Sequence, residues 1–134
     1  MSLKKAPDAR ALFGEAVKAA IISKDPQVSN DVCWYGSVDR FADVVLPAGD
    51  RAVEVADEDL KAFYRDTRGL ARALADKKQE AIEDFRAFIA WAESHKLYGD
   101  NVSMRKEWIK EMEDNKDPFT DETLRKLRGE TYGL

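Results

Sequence analysis

The 134-residue chain contains one cysteine, Cys33, and one histidine, His95. A lone cysteine excludes an internal disulfide and fits a reducing compartment. One histidine cannot build a three-histidine zinc site or a paired-histidine metalloprotease helix. A di-iron carboxylate bundle wants two Glu-x-x-His units, and the residue three places before His95 is Ala92. The seven glycines stand singly, which excludes a glycine-rich phosphate loop and a G-x-S-x-G elbow. Asp57-Glu58-Asp59 lacks the glycine and the twelfth-position acid of a calcium loop. No apolar run approaches the ~20 residues of a membrane helix. Met1-Ser2-Leu3-Lys4-Lys5 is not followed by an apolar signal core. The expected setting is cytoplasmic, with no membrane contact.

Charge of one sign is also scarce. Charged residues make up 36% of the chain and formal net charge is −4. That charged share is well above the roughly 25% of an average soluble domain, so much helix surface is solvated. Bases and acids alternate, with nine acids against eight bases from Asp57 to Lys96. A nucleic-acid binder gathers its bases on one face, so no nucleic acid is expected. The length suits one domain over residues 1–134. Such a domain buries roughly two-thirds of its unfolded surface.

The richest signal is what Asp57 to Lys96 does contain. These forty residues hold no proline, and Gly69 is their only glycine. Leu60, Phe63, Thr67, Leu70 and Leu74 recur at steps of three and four, as do Ala81, Phe85, Phe88 and Ala92. That spacing predicts an apolar band along a helix. Unbroken, the helix would extend ~60 Å, against roughly 36 Å for the whole domain. It either bends and protrudes or breaks into a helical hairpin. The break candidates are Gly69 and Ala75-Asp76-Lys77-Lys78-Gln79, where the band loses phase.

The flanks give further elements. Pro7 to Ser23 reads as a helix with a stripe of Leu12, Ala16, Ala19 and Ala20, ended by Lys24-Asp25-Pro26. Asp25 to Ser37 reads as a loop whose Val32-Cys33-Trp34-Tyr35 tucks under the helices. Val44-Val45-Leu46 and Ala52-Val53-Glu54-Val55 flank Pro47-Ala48-Gly49-Asp50-Arg51, which predicts a small β-hairpin near residues 44–55. Gly99 reads as a helix terminator. A helix lined by Met104, Trp108, Ile109 and Met112 follows, then a short one from Thr120 to Leu127. Residues 129–134 read as a flexible tail. The expected fold is mainly α: a helical bundle with one long central helix, either continuous or broken, and that hairpin.

No residue earns a catalytic assignment. Cys33 beside Trp34 and Tyr35 reads as a small buried hydrophobe, and His95 as a cation at a helix C-terminus. Glu80, Glu83 and Asp84, with Glu111, Glu113 and Asp114, have the chemistry for a divalent metal. Their helical phase turns Glu80, Glu83 and Asp84 to water beside Lys77 and Lys78, so no metal and no cofactor is expected. The leading expectation is a non-enzymatic interaction protein, a homo-oligomer or an accessory subunit of a larger protein complex. Its interface would be Phe63, Leu70, Leu74, Phe85, Phe88, Ile89 and Trp91. The alternative is a small-molecule-binding regulatory domain. Its pocket would gather Trp34, Tyr35 and Tyr64 with Phe41 and Phe63, and Arg68 or Arg65 would meet an anionic group.

Overall fold

Short capping residues set where three of the helices begin. In the computed structural model, which describes residues 8–129, seven helices follow one another. They are α1 (Ala9–Ser23), α2 (Pro26–Val38), α3 (Ala42–Val55), α4 (Glu58–Leu74), α5 (Lys78–His95), α6 (Gly99–Glu113) and α7 (Asp121–Arg128). The Asp8 carboxylate accepts from the N–H groups of Arg10 and Ala11, Asp25 from Gln27, and the Thr120 hydroxyl from Thr123. Each satisfies helix donors that otherwise lack a partner. The expectations for residues 1–5, for Pro7 and for the tail beyond Gly129 lie outside the described residues.

Four helices end in one way. Arg40, Asp76, Lys96 and Asn115 adopt positive φ. The next N–H then reaches back to a carbonyl five residues earlier. The pairs are Phe41 to Gly36, Lys77 to Arg72, Leu97 to Ala92 and Lys116 to Glu111, at 2.8–2.9 Å. This is the Schellman closure, usually made with glycine. One of these closures breaks the long apolar stretch at Ala75–Lys77. Helices α4 and α5 therefore have 17 and 18 residues, about 26 Å each. Neither exceeds the domain.

Three expectations are corrected. No strand occurs among the described residues, so the β-hairpin near residues 44–55 is not seen. Those residues are helix α3. Val45, Ala48, Gly49, Ala52 and Ala56 are all buried, and their spacing is that of one helix face. Burial of that face outweighs the β preference of the valines. Pro47 is carried in the second turn on the exposed side. The supposed loop from Asp25 to Ser37 is α2: Asp25-Pro26 ends one helix and, as N-cap and first residue, starts the next. Likewise Gly99 opens α6 after Tyr98 turns the chain at φ 56°.

Helix α4 packs against α2, α3 and α5. On one side, Phe85, Phe88 and Ile89 of α5 meet Trp108, Ile109 and Met112 of α6 and Leu124 and Leu127 of α7. Trp108 stands edge-on to Phe85 and to Phe119, with ring centroids 5.4 and 4.9 Å apart. Such pairs contribute about 0.5–1.5 kcal/mol beyond area burial. On the other side, Val17, Cys33, Val45 and Ala48 close α1, α2 and α3 together. Gly69 lets α5 come close to α4. A Cβ there would sit 2.9 Å from the Phe85 ring and 3.2 Å from Asp84 Cβ. Replacement Gly69→Val should therefore cost about 3 kcal/mol, the upper end of overpacking. Urea unfolding measures it, and an unchanged midpoint would refute this close approach.

Candidate functional site

The predicted interface residues lie mostly inside the chain's own fold. Leu70, Phe85 and Phe88 are fully buried, Ile89 is nearly so, and Phe63, Leu74 and Trp91 are half-buried against the same core. Helices α2, α6 and α7 supply their cover, so the stripe is not an open surface. The predicted ligand residues separate. Trp34 joins the main core, Tyr64 packs with Ala52 and Ala56, Tyr35 faces solvent, and Arg68 turns to an acid. Tyr64 donates its hydroxyl to Gln27 Oε1 at 3.3 Å.

That acid is Asp84, and its position corrects the sequence reading. Glu80 and Glu83 face water as expected, but Asp84 is 0% exposed. Helix α4 carries Arg65, Arg68 and Arg72 at steps of three and four, hence on one face. The short α4–α5 turn and Gly69 bring Asp84 beneath that face. All three guanidiniums donate to it. Arg65 Nε reaches Oδ1 at 2.8 Å, and Arg72 Nη1 reaches Oδ2 at 3.0 Å. Arg68 grips both oxygens, Nε to Oδ2 and Nη2 to Oδ1, each at 2.9 Å. Charge-assisted bonds of this kind offset the desolvation of a buried carboxylate, which costs several kcal/mol.

The arginines exceed what Asp84 needs. A guanidinium has five N–H donors, and only one or two on each bond to a described acceptor. The other carboxylate within 4 Å is Asp50, 3.7 Å from Arg68 Nη1 and half-exposed. Three positive charges thus face two negative ones. The arginine side chains keep 34%, 15% and 21% exposure along the row. Burial pulls the Arg68 pKa down, but the hydrogen bond and charge of Asp84 outweigh it and hold the group above its ordinary value.

Other groups offer less chemistry. Asp66 and Arg105 form a fully buried bidentate pair at 2.8–2.9 Å between α4 and α6. Arg105 also lies 4.5 Å from the Trp108 ring centre. Nothing there reaches solvent. Cys33 is buried, and desolvation pushes its thiol up to about 12, the opposite of an activated nucleophile. Exposed His95 stacks on Trp91, with Nδ1 2.8 Å from the Trp91 carbonyl. A depression of about 500 Å³ lies between α2 and α7, bordered by Arg40, Phe41 and Arg125. Its acids Asp39 and Asp121 are each held by an arginine, Arg128 and Arg40. Among the described residues no group of three His, Cys, Asp or Glu side chains is placed to hold a metal. No described helix is long and apolar enough to cross a membrane.

The chain matches no protein-family model, no curated protein and no solved structure. The site therefore rests on its own geometry. Asp84→Asn should cost about 3–5 kcal/mol, because three guanidiniums then surround a neutral group. Arg65→Gln, a third exposed, should cost about 1 kcal/mol or less. Denaturant midpoints compare the two; equal losses would mean that Asp84 does not organise the cluster.

Proposed function

We propose that this protein is a non-enzymatic binding domain that receives an anionic ligand at the arginine row of α4. One observation carries the reading: a single buried carboxylate gathers three partly exposed guanidiniums on the surface of an otherwise acidic chain. This keeps the anion-meeting role expected for Arg65 or Arg68 and drops the aromatic pocket around it. The sealed Cys33 thiol and the solvent-side His95 favour binding over covalent chemistry. Cytoplasmic residence belongs to the same proposal, since Cys33 is an unpaired thiol. Titration calorimetry at fixed ionic strength tests it, with phosphate, pyrophosphate, citrate and a short polyglutamate as ligands. At least one should bind the wild type and weaken about tenfold in the Arg65→Gln/Arg72→Gln variant. Silence from all four, or equal binding by the variant, would overturn it.

Self-association remains a second reading, moved to a different surface. Ile22 and Leu12 on α1 are 77% and 56% exposed, and two copies meeting there would cover them. A stable pair would bury at least about 1,000 Å². Light scattering over a concentration series should then show a dimer that Ile22→Asp returns to monomer. A monomer throughout would end this reading.

A further inference from the structure

We infer that the ligand of the arginine row is a small molecule bearing a terminal phosphoryl or diphosphoryl group. The inference rests on the anion reading above and narrows it by shape and charge.

Shape comes first. All three guanidiniums touch the two oxygens of one carboxylate, so their charged ends are gathered, not strung out. From Arg65 to Arg72 the helix advances about 10 Å. A row this short suits one compact anion better than an extended polyanion. The planar, two-oxygen acceptor in the cluster is already present as Asp84. What remains are N–H donors on three separate guanidiniums that bond to no described acceptor. A terminal phosphoryl group offers three acceptor oxygens in a tetrahedral spread, and guanidinium edges match it.

Charge gives the second argument. Counting both carboxylates, the cluster keeps one positive charge in excess. Without half-exposed Asp50, which sits beyond hydrogen-bond range of Arg68, it keeps two. A phosphoryl group carries about −1.5 to −2 at neutral pH, close to that excess. Lys61 stands one turn before Arg65 on the same face, with Nζ 3.0 Å from the Val53 carbonyl. Its ammonium adds a further positive charge on that face of α4 for a second phosphoryl. Asp50 is then a competitor for Arg68, and removing its charge should strengthen binding.

Calorimetry and the ¹⁵N-detected arginine Nε signals of the full chain test this with pyrophosphate, inorganic phosphate and citrate. Pyrophosphate should bind more tightly than phosphate, and about tenfold more tightly than citrate. It should shift the Nε signals of Arg65 and Arg72. Asp50→Asn should tighten pyrophosphate severalfold, a gain that a purely structural cluster would not give. Because Asp50 is exposed and makes only the 3.7 Å contact, that variant tests the idea even if arginine variants fold poorly. Citrate binding as tightly as pyrophosphate overturns the phosphoryl assignment but leaves the anion reading standing. No binding of any of the three removes the phosphoryl assignment, and silence from polyglutamate as well removes the anion reading. An unchanged affinity in Asp50→Asn also overturns the assignment.

Discussion

A carboxylate with no access to water must be met by donors that can reach it, and Asp84 imposes that requirement on the centre of this fold. Helix α5 cannot rotate without exposing Asp84 or stripping it of partners. Helix α4 cannot slide, because Arg65, Arg68 and Arg72 span only two turns and must all point at one group. Gly69 sets the separation at which those bonds close. The close packing of Phe85 on Gly69 and the three-armed ion cluster both oppose a shift of register. Buried ion pairs add little net stability compared with well-packed apolar groups, so fixing register is the effect that best fits this arrangement.

The same helix faces a second demand one residue away. Asp66 lies on the inner side of α4 and meets Arg105 of α6, a helix whose backbone is not a neighbour of α4. The arginine side chain spans the gap and lies against the Trp108 face. Helix α4 is thus tied inward by one acid of its own and outward by three bases. Two oppositely signed faces on one 17-residue helix explain why its charges did not read as a patch. Part of the chain's charge is also interior, at Asp66, Asp84 and Arg105.

Much of the helical content was legible because it follows from apolar spacing and caps. The break near Asp76 was visible as lost phase, yet it could not be decided, since the residues that close these helices are Arg, Asp, Lys and Asn where glycine is usual. Their cost, about 1 kcal/mol or more each, is met by tertiary packing that local preference does not reveal. The α3 segment misled for a related reason. Its valines and Pro47-Ala48-Gly49-Asp50 favour a hairpin locally, while its small residues at helical spacing only matter once α2 and α4 are beside it. The charged centres did leave a trace. Asp66 falls three residues after Phe63 and four before Leu70, inside the apolar stripe, and Arg105 falls between Val102 and Trp108 in the same way. An ion at a core phase should have been paired with a distant opposite ion. Asp84 bears the same mark, three residues after Ala81 and four before Phe88; what the spacing does not show is its partners, since only the antiparallel turn of α4 and α5 brings it under the three arginines.

The burial of the Phe85–Phe88 stripe changes where function can reside. The Phe85–Phe88 part of the band is covered by α6 and α7 of its own chain, and Phe63, Leu74 and Trp91 are left half-buried at its margin. What the surface does offer is charge held in place. A free arginine on a helix samples many rotamers and loses about 0.5–1.5 kcal/mol of freedom when a ligand fixes it. Arg68, pinned at two nitrogens by Asp84, and Arg65 and Arg72, each pinned at one, have already lost much of that freedom in folding. Their unused donors are therefore presented in fixed directions. Under the proposed anion reading, the carboxylate that ties α4 to α5 would also prepare the outer face for the ligand, and the structural centre and the binding surface would be two sides of one cluster.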